Sequence, residues 1–191
     1  MNLPNKLTVL RIILTPIFML TLVWQFPYHY GVSLFIFIFA SLTDLLDGKI
    51  ARKQGIVTDF GKFLDPLADK MLTTAAFLGF IALDIGKGAV WIAFIVLFRE
   101  FLVSSLRLVA VTSGGKVIAA NIWGKLKTVS QMVAVIFALT AEQFVEIIDI
   151  PTLTVVLDSL TTVLLWISAI LCIISGAIYV IDNIKFINSS K

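Results

Sequence analysis

The sequence predicts an all-α fold, a polytopic membrane helix bundle with six transmembrane helices. Of the 191 residues, 59% are hydrophobic, and the mean hydropathy is +1.02. Soluble globular chains are only about 45–50% apolar, and a soluble fold of this size has too little interior to bury the excess. Helices are expected because lipid offers no hydrogen-bond partners to backbone amides.

The apolar stretches are long enough to cross a bilayer, which takes about 20 helical residues. The last stretch is longer than this, so we expect it to tilt or to project from the membrane. Because no linker or low-complexity tract interrupts the chain, we expect a single membrane domain over residues 1–191. The predicted spans are 7–26, 31–50, 62–83, 88–110, 122–141 and 152–182.

Lysine and arginine are concentrated at alternate ends of the predicted spans. Cytoplasmic loops carry an excess of these residues, so the alternation places both termini and the second and fourth connections in the cytoplasm. The opposite connections contain only Lys87 as a cation, and the fifth carries Glu142, Glu146 and Asp149 instead. The residues on the predicted cytoplasmic side are Lys6, Arg11, Lys49, Arg52, Lys53, Lys62, Arg107, Lys116, Lys125, Lys127, Lys185 and Lys191.

The remaining composition excludes some classes of function. A net charge of +3 is too small and too scattered for a nucleic-acid-binding protein. Cys172 is the only cysteine, so it cannot form an intramolecular disulfide, and its apolar surroundings predict a buried, inert thiol.

Four aspartates flank the second predicted connection. Asp44 and Asp47 are three residues apart, so both project from one face of the second helix. Asp65 and Asp69 are four residues apart and share a face of the third helix. A short connection brings these helix ends together, so four carboxylates can converge at the inner boundary of the membrane.

Such a group of carboxylates needs neutralisation. Close negative charges in a low-dielectric setting either acquire raised pKa values or bind cations. Ligands that are all oxygen suit hard ions such as Mg²⁺ or Mn²⁺, and four carboxylates can hold two such ions. The alternative interpretation is that each aspartate is an ordinary interfacial residue or a helix cap.

Three further residues lie within the aspartate pattern. Gly48 and Gly61 are either close helix-packing positions or places where a nucleotide passes near the backbone. Arg52 lies one helical turn beyond Gly48, which suits bidentate binding of a diphosphate, although it could also be a membrane anchor.

The pattern Asp-x-x-Asp-Gly-x-x-Ala-Arg, eight residues, Gly-x-x-x-Asp-x-x-x-Asp resembles the signature of the CDP-alcohol phosphotransferase family, without departure. The resemblance implies two divalent cations, Mg²⁺ or Mn²⁺, held by Asp44, Asp47, Asp65 and Asp69, with Asp69 as general base. It also implies that the nucleotide of CDP-diacylglycerol lies against Gly48, Arg52 and Gly61. Asn5, Thr8 and Arg11 are expected to approach this nucleotide from the first helix, although Asn5 could equally be a helix N-cap. A homodimer is expected as well.

A second polar set on the later spans bears on the acceptor alcohol. Arg99 lies among apolar residues, so we expect it to face the bundle interior or to pair with an acid such as Glu100. Arg107, Lys125 and Lys127 are either topology anchors or, with Arg99, ligands of an anionic acceptor. Glycerol 3-phosphate fits such a site, because its phosphate needs charge-assisted contacts. Serine, inositol phosphate and phosphatidylglycerol are acceptors in the same family and remain alternatives.

A transporter of divalent metals would also place aspartates in membrane spans. It would arrange them along a path to both faces, whereas Asp84 and Asp158 are isolated on the outer side. The sequence therefore favours an enzyme that uses a lipid donor at the cytoplasmic face of the cell membrane.

Overall fold

The computed structural model describes the backbone of residues 3–54, 59–112, 122–148 and 150–188. Within these ranges it does not describe the side chains of residues 4, 45–54, 59–63, 65, 66, 69, 110–112 and 184–188.

The described residues form six α-helices and no strand, as the sequence predicts. The helix ends lie close to the predicted span ends except at the end of α5, which continues beyond residue 141, and of α6, which continues beyond residue 182. At 1.5 Å per residue, the 38 residues of α6 extend for about 57 Å, well beyond the thickness of a bilayer core. The helices are α1 (Leu3–Val23), α2 (His29–Gln54), α3 (Asp59–Ala82), α4 (Ala89–Thr112), α5 (Ile122–Ile147) and α6 (Pro151–Asn188).

Four helices are long and apolar enough to cross a membrane, judged by length and composition within the described residues. The described apolar stretches of α2 and α3 are shorter, at His29–Asp44 and Lys70–Ala82. The four longer stretches are Asn5–Val23, Ala89–Val109, Ile122–Ile147 and Pro151–Asn183.

Helix α1 packs against both α2 and α3, whereas α6 packs against α4 and α5. Helix α5 also contacts α2 and so joins the two groups. The interior contains Phe18 of α1, Phe37 of α2 and Phe77 and Phe80 of α3, all nearly inaccessible. Since lipid is as apolar as these side chains, tight packing rather than exclusion of water holds the helices together.

Close approach between α1 and α3 depends on Gly79. A Cβ atom at this position would lie 2.3 Å from Cδ2 of Leu22, which is itself fully buried. The absence of a side chain therefore lets the two helices pack closely. On the outward-facing surface of the bundle, large apolar side chains such as Phe35 and Phe101 are exposed and suit contact with lipid.

The residue before α2 and the first turn of α2 are attached to α5 by two side chains. Oε1 of Gln143 accepts a hydrogen bond from the backbone amide of Gly31 at 2.6 Å. Oε1 of Glu146 accepts one from the amide of Tyr28 at 3.0 Å, where the backbone has a φ of 64°. We refer to these contacts as the α2–α5 clasp. They explain why α5 extends past residue 141, because its polar last turns have partners.

Candidate active site

Asp44, the first of the four aspartates, forms an ion pair with Arg11. Nη1 of Arg11 on α1 lies 2.5 Å from Oδ1 of Asp44 on α2. The two side chains differ greatly in exposure, with 2% of Arg11 and 40% of Asp44 accessible. The Asp44 carboxylate is therefore bonded to a buried arginine on one side and is accessible on the other.

The backbone confirms the helical spacing on which the metal-site prediction depends. Asp44 and Asp47 lie within the continuous helix α2, and Asp65 and Asp69 lie within α3. Helix α1 contacts both of these helices. Within each pair, the two backbone positions are therefore about one helical turn apart.

Most side chains of the predicted metal and nucleotide site lie outside the described part of the structure. These are Asp47, Gly48, Arg52, Gly61, Asp65 and Asp69. The described side chains contain no group of three or more residues that could hold a metal ion, and three of the four aspartates are not among them. The set is composed of carboxylates, and the one described member is half-exposed at a helix face, so the residues present suit a hard divalent cation.

The first-helix residues predicted near the nucleotide line α1 at three-residue spacing. Asn5 is half-buried, and Thr8 and Arg11 are almost fully buried. Because α1 begins at Leu3, Asn5 lies in the first helical turn. The sequence did not indicate that Arg11 meets Asp44, although a lone arginine in an apolar span signals that a partner exists.

An apolar groove between α2 and α5 ends at Asp44. Its volume is about 350 Å³. Ser41 and Thr128 add hydroxyl groups to an otherwise largely apolar lining. The remaining lining residues are Ile38, Leu42, Val129, Met132, Val133 and Ile136. This groove places a half-exposed carboxylate beside a trough that suits a hydrocarbon chain.

A second polar site lies between α4, α5 and α6. Nη1 of Arg99 donates a hydrogen bond to Oε1 of Glu100 at 3.0 Å, and Nζ of Lys127 pairs with the same oxygen. Nη2 of Arg99 donates to Oγ of Ser175 on α6 at 2.7 Å. Arg99 and Lys127 are both buried. The prediction that Arg99 faces the interior and pairs with Glu100 is therefore confirmed.

Two of the four residues predicted to bind the acceptor do not join this site. Arg107 and Lys125 are exposed, whereas Arg99 and Lys127 are buried around Glu100. A further cation, Lys70 on α3, lies within electrostatic reach of Glu100 and bonds to Ser104 of α4. Sequence spacing gave no sign of Lys70 or Ser175, because their proximity depends on how separate helices pack.

Comparisons with known proteins bear on the whole chain. Residues 1–176 match the protein family described as CDP-alcohol phosphatidyltransferase. A Bacillus subtilis protein named CDP-diacylglycerol–glycerol-3-phosphate 3-phosphatidyltransferase is 37% identical, over 100% of this chain and 99% of its own length. A Rickettsia bellii protein of the same name is also 37% identical, over 93% of each chain. A Mycobacterium tuberculosis (strain H37Rv) protein named probable phosphatidylglycerophosphate synthase is 42% identical, over 70% of this chain and 64% of its own.

Proposed function

Since the chain belongs to the CDP-alcohol phosphatidyltransferase family, we propose that it transfers the phosphatidyl group of CDP-diacylglycerol to glycerol 3-phosphate. The products are phosphatidylglycerophosphate and CMP. The observation that carries this proposal is the full-length similarity to a protein named for that reaction, in a chain that retains the complete aspartate pattern.

The geometry around Asp44 supports a lipid donor. The carboxylate lies at the end of the apolar groove between α2 and α5. An amphiphilic substrate needs both a polar site for its diphosphate and an apolar surface for its acyl chains. With the nucleotide against Gly48, Arg52 and Gly61, an acyl chain can follow the groove while the diphosphate lies beside the aspartates.

We place two divalent cations, Mg²⁺ or Mn²⁺, on Asp44, Asp47, Asp65 and Asp69. When bound, they neutralise the diphosphate and stabilise charge on the departing CMP. Asp69 takes the proton from the acceptor hydroxyl as that oxygen attacks the phosphorus on the lipid side. Arg52 holds the diphosphate by charge-assisted hydrogen bonds.

The buried cations favour an acceptor that carries a phosphate. Arg99 and Lys127 bring two positive charges to one carboxylate, that of Glu100. An excess of buried positive charge is costly without an anionic partner. Glycerol 3-phosphate supplies that anion, and we assign its phosphate chiefly to Lys127, with Arg99 held behind it by Ser175. We assign to the exposed Arg107 and Lys125 the electrostatic attraction of the acceptor as it approaches the site.

The positive-inside distribution supports an active site at the cytoplasmic face, with both termini on that side. The family resemblance also supports a homodimer, which crosslinking in native membranes would test. Cysteine accessibility at Lys6 and Lys191 positions, against that at Lys87, would test the orientation.

The acceptor is tested by direct competition between alcohols. Purified protein is given CDP-diacylglycerol and Mg²⁺ with glycerol 3-phosphate, serine, inositol phosphate or phosphatidylglycerol in separate reactions, and CMP release is measured. We expect release with glycerol 3-phosphate and little with the others. Preferred use of serine, inositol phosphate or phosphatidylglycerol would keep the family chemistry and replace the acceptor.

A further inference from the structure

Arg11 is the largest fully buried side chain among the described residues. It lies on α1, which carries none of the four aspartates but contacts both helices that do. Its guanidinium forms the 2.5 Å ion pair with Asp44. The contact therefore links the core of the bundle directly to the candidate metal site.

The burial of Arg11 determines how it can act. A side chain that is 2% accessible presents almost no surface to a nucleotide or a lipid headgroup. It can influence a substrate through the residues it contacts, and Asp44 has 40% of its side chain exposed. An arginine within an apolar span is costly, so such a residue requires a compensating partner.

The bond to Arg11 leaves lone pairs on the Asp44 carboxylate that can bind a further partner. A carboxylate has two oxygens with about four lone-pair sites, and Nη1 of Arg11 lies against one of them, Oδ1. The planar guanidinium restrains the orientation of the carboxylate as a single-point ammonium would not. Partners of this kind orient metal ligands, and removing them typically costs about 10–100-fold in metal affinity.

We infer that Arg11 is a positioning residue that fixes the Asp44 carboxylate so that its remaining lone pairs face a divalent cation. This inference rests on the proposed function, since it concerns the same cation site. It assigns α1 a part in metal binding that the aspartate pattern alone does not include, and it replaces the expectation that Arg11 approaches the nucleotide.

The test measures metal binding without substrate. Mn²⁺ is titrated into the purified full-length protein in detergent and free Mn²⁺ is followed by electron paramagnetic resonance. We expect Arg11→Gln to raise the Mn²⁺ dissociation constant by about 10–100-fold. Arg11→Lys should give a smaller increase, because it keeps the charge and loses the planar fork. Thr15→Val is the matched control: Thr15 is buried one turn further along α1, and its hydroxyl bonds only the backbone carbonyl of Arg11 in the contacts described.

A double-mutant cycle separates orientation from general damage. If Arg11 acts through Asp44, Arg11→Gln has little further effect on Mn²⁺ affinity in an Asp44→Asn background. Wild-type Mn²⁺ affinity in a folded Arg11→Gln protein would overturn the inference, as would an equal loss in both backgrounds. If Arg11→Gln does not fold, Arg11→Lys decides by the same criteria.

Failure of the inference and failure of the proposed function give different results. A raised KM for CDP-diacylglycerol with unchanged Mn²⁺ affinity in Arg11→Gln would return Arg11 to the nucleotide and leave the function intact. Absence of CMP release by the wild-type protein, despite tight Mn²⁺ binding that depends on Arg11, would overturn the function alone.

Discussion

Arg99 on α4 donates a hydrogen bond to Ser175 on α6, with Nη2 and Oγ 2.7 Å apart. The next residue on α6, Gly176, lies close to the side chain of Arg99. A Cβ atom at Gly176 would be only 3.0 Å from Cγ of Arg99. The arginine is thus held at both its stem and its guanidinium. This arrangement restrains the guanidinium where it pairs with Glu100, which is also the partner of Lys127.

Adding a methyl group at Gly176 should displace Arg99. We expect Gly176→Ala to destabilise the protein by about 1–3 kcal/mol, as in other overpacked cores, and to raise the KM for glycerol 3-phosphate. Thermal unfolding in detergent and steady-state kinetics would measure these effects. Ala177→Val, at the exposed neighbouring position, is the control, and equal effects in both variants would argue against a specific role for the Gly176 contact.

Loss of the buried cation at Lys127 should weaken acceptor binding. A charge-assisted contact contributes about 1.5–3 kcal/mol, so Lys127→Gln should raise the glycerol 3-phosphate KM by about 10–150-fold with little change in the CDP-diacylglycerol KM. Arg107→Gln and Lys125→Gln should have smaller effects, because both side chains are exposed. Lys87→Gln, in the turn between α3 and α4, serves as the charge-matched control. The largest increase at Arg107 or Lys125 would move the phosphate to the exposed residues.

Removal of divalent metal should abolish turnover. We expect activity to disappear in EDTA and to return with Mg²⁺ or Mn²⁺, because carboxylates alone cannot neutralise a diphosphate. CMP release from CDP-diacylglycerol is the measurement. Undiminished release in persistent excess of chelator would contradict the proposed two-metal site.

Replacement of Asp69 should affect chemistry more than donor binding. Asp69→Asn retains the size of the side chain and removes its basic carboxylate, so kcat should fall by at least about 10²–10⁴-fold. Affinity for CDP-diacylglycerol should fall less than in Asp44→Ala, measured by equilibrium binding. Near-normal turnover of Asp69→Asn would assign the general base to another residue.

The packing of α1 on α3 gives a prediction about stability. Gly79→Ala places a Cβ against Leu22, which is fully buried, so we expect a loss of about 1–3 kcal/mol. In the double variant with Leu22→Ala, the two losses should be less than additive, because the smaller side chain makes room. Strict additivity in thermal unfolding would show that the two residues do not compete for space.

The sequence predicts the helices well because their signals are local. Apolar runs and turn glycines depend on neighbours along the chain, and Gly86 and Gly88 form the turn before α4 with φ values of 77° and 79°. The end of α5 was predicted too early because Gln143 and Glu146 are polar. Their partners in the α2–α5 clasp lie more than 100 residues away in sequence.

In the candidate site, too, features within one helix could be predicted from the sequence, whereas contacts between helices could not. Helical spacing within α2 and α3 follows from residue separation, so the aspartate pairs could be predicted. The ion pair of Arg11 with Asp44 could not, because it depends on how α1 is rotated against α2. Likewise, a sequence does not distinguish buried Lys127 from exposed Lys125 on the same helix. The roles of the four aspartates in metal binding remain predictions.

The α2–α5 clasp also has a mechanical consequence. It holds the start of α2 to α5, whereas the groove between these helices lies further along and ends at Asp44. Gly31 and Asp44 are thirteen residues apart, a lever of about 20 Å, so tilting α2 by about 5° about the clasp shifts Asp44 by about 2 Å. Admission of an acyl chain that spreads the two helices would therefore carry the carboxylate sideways. The width of the groove and the distance from Asp44 to the aspartates of α3 would then change together.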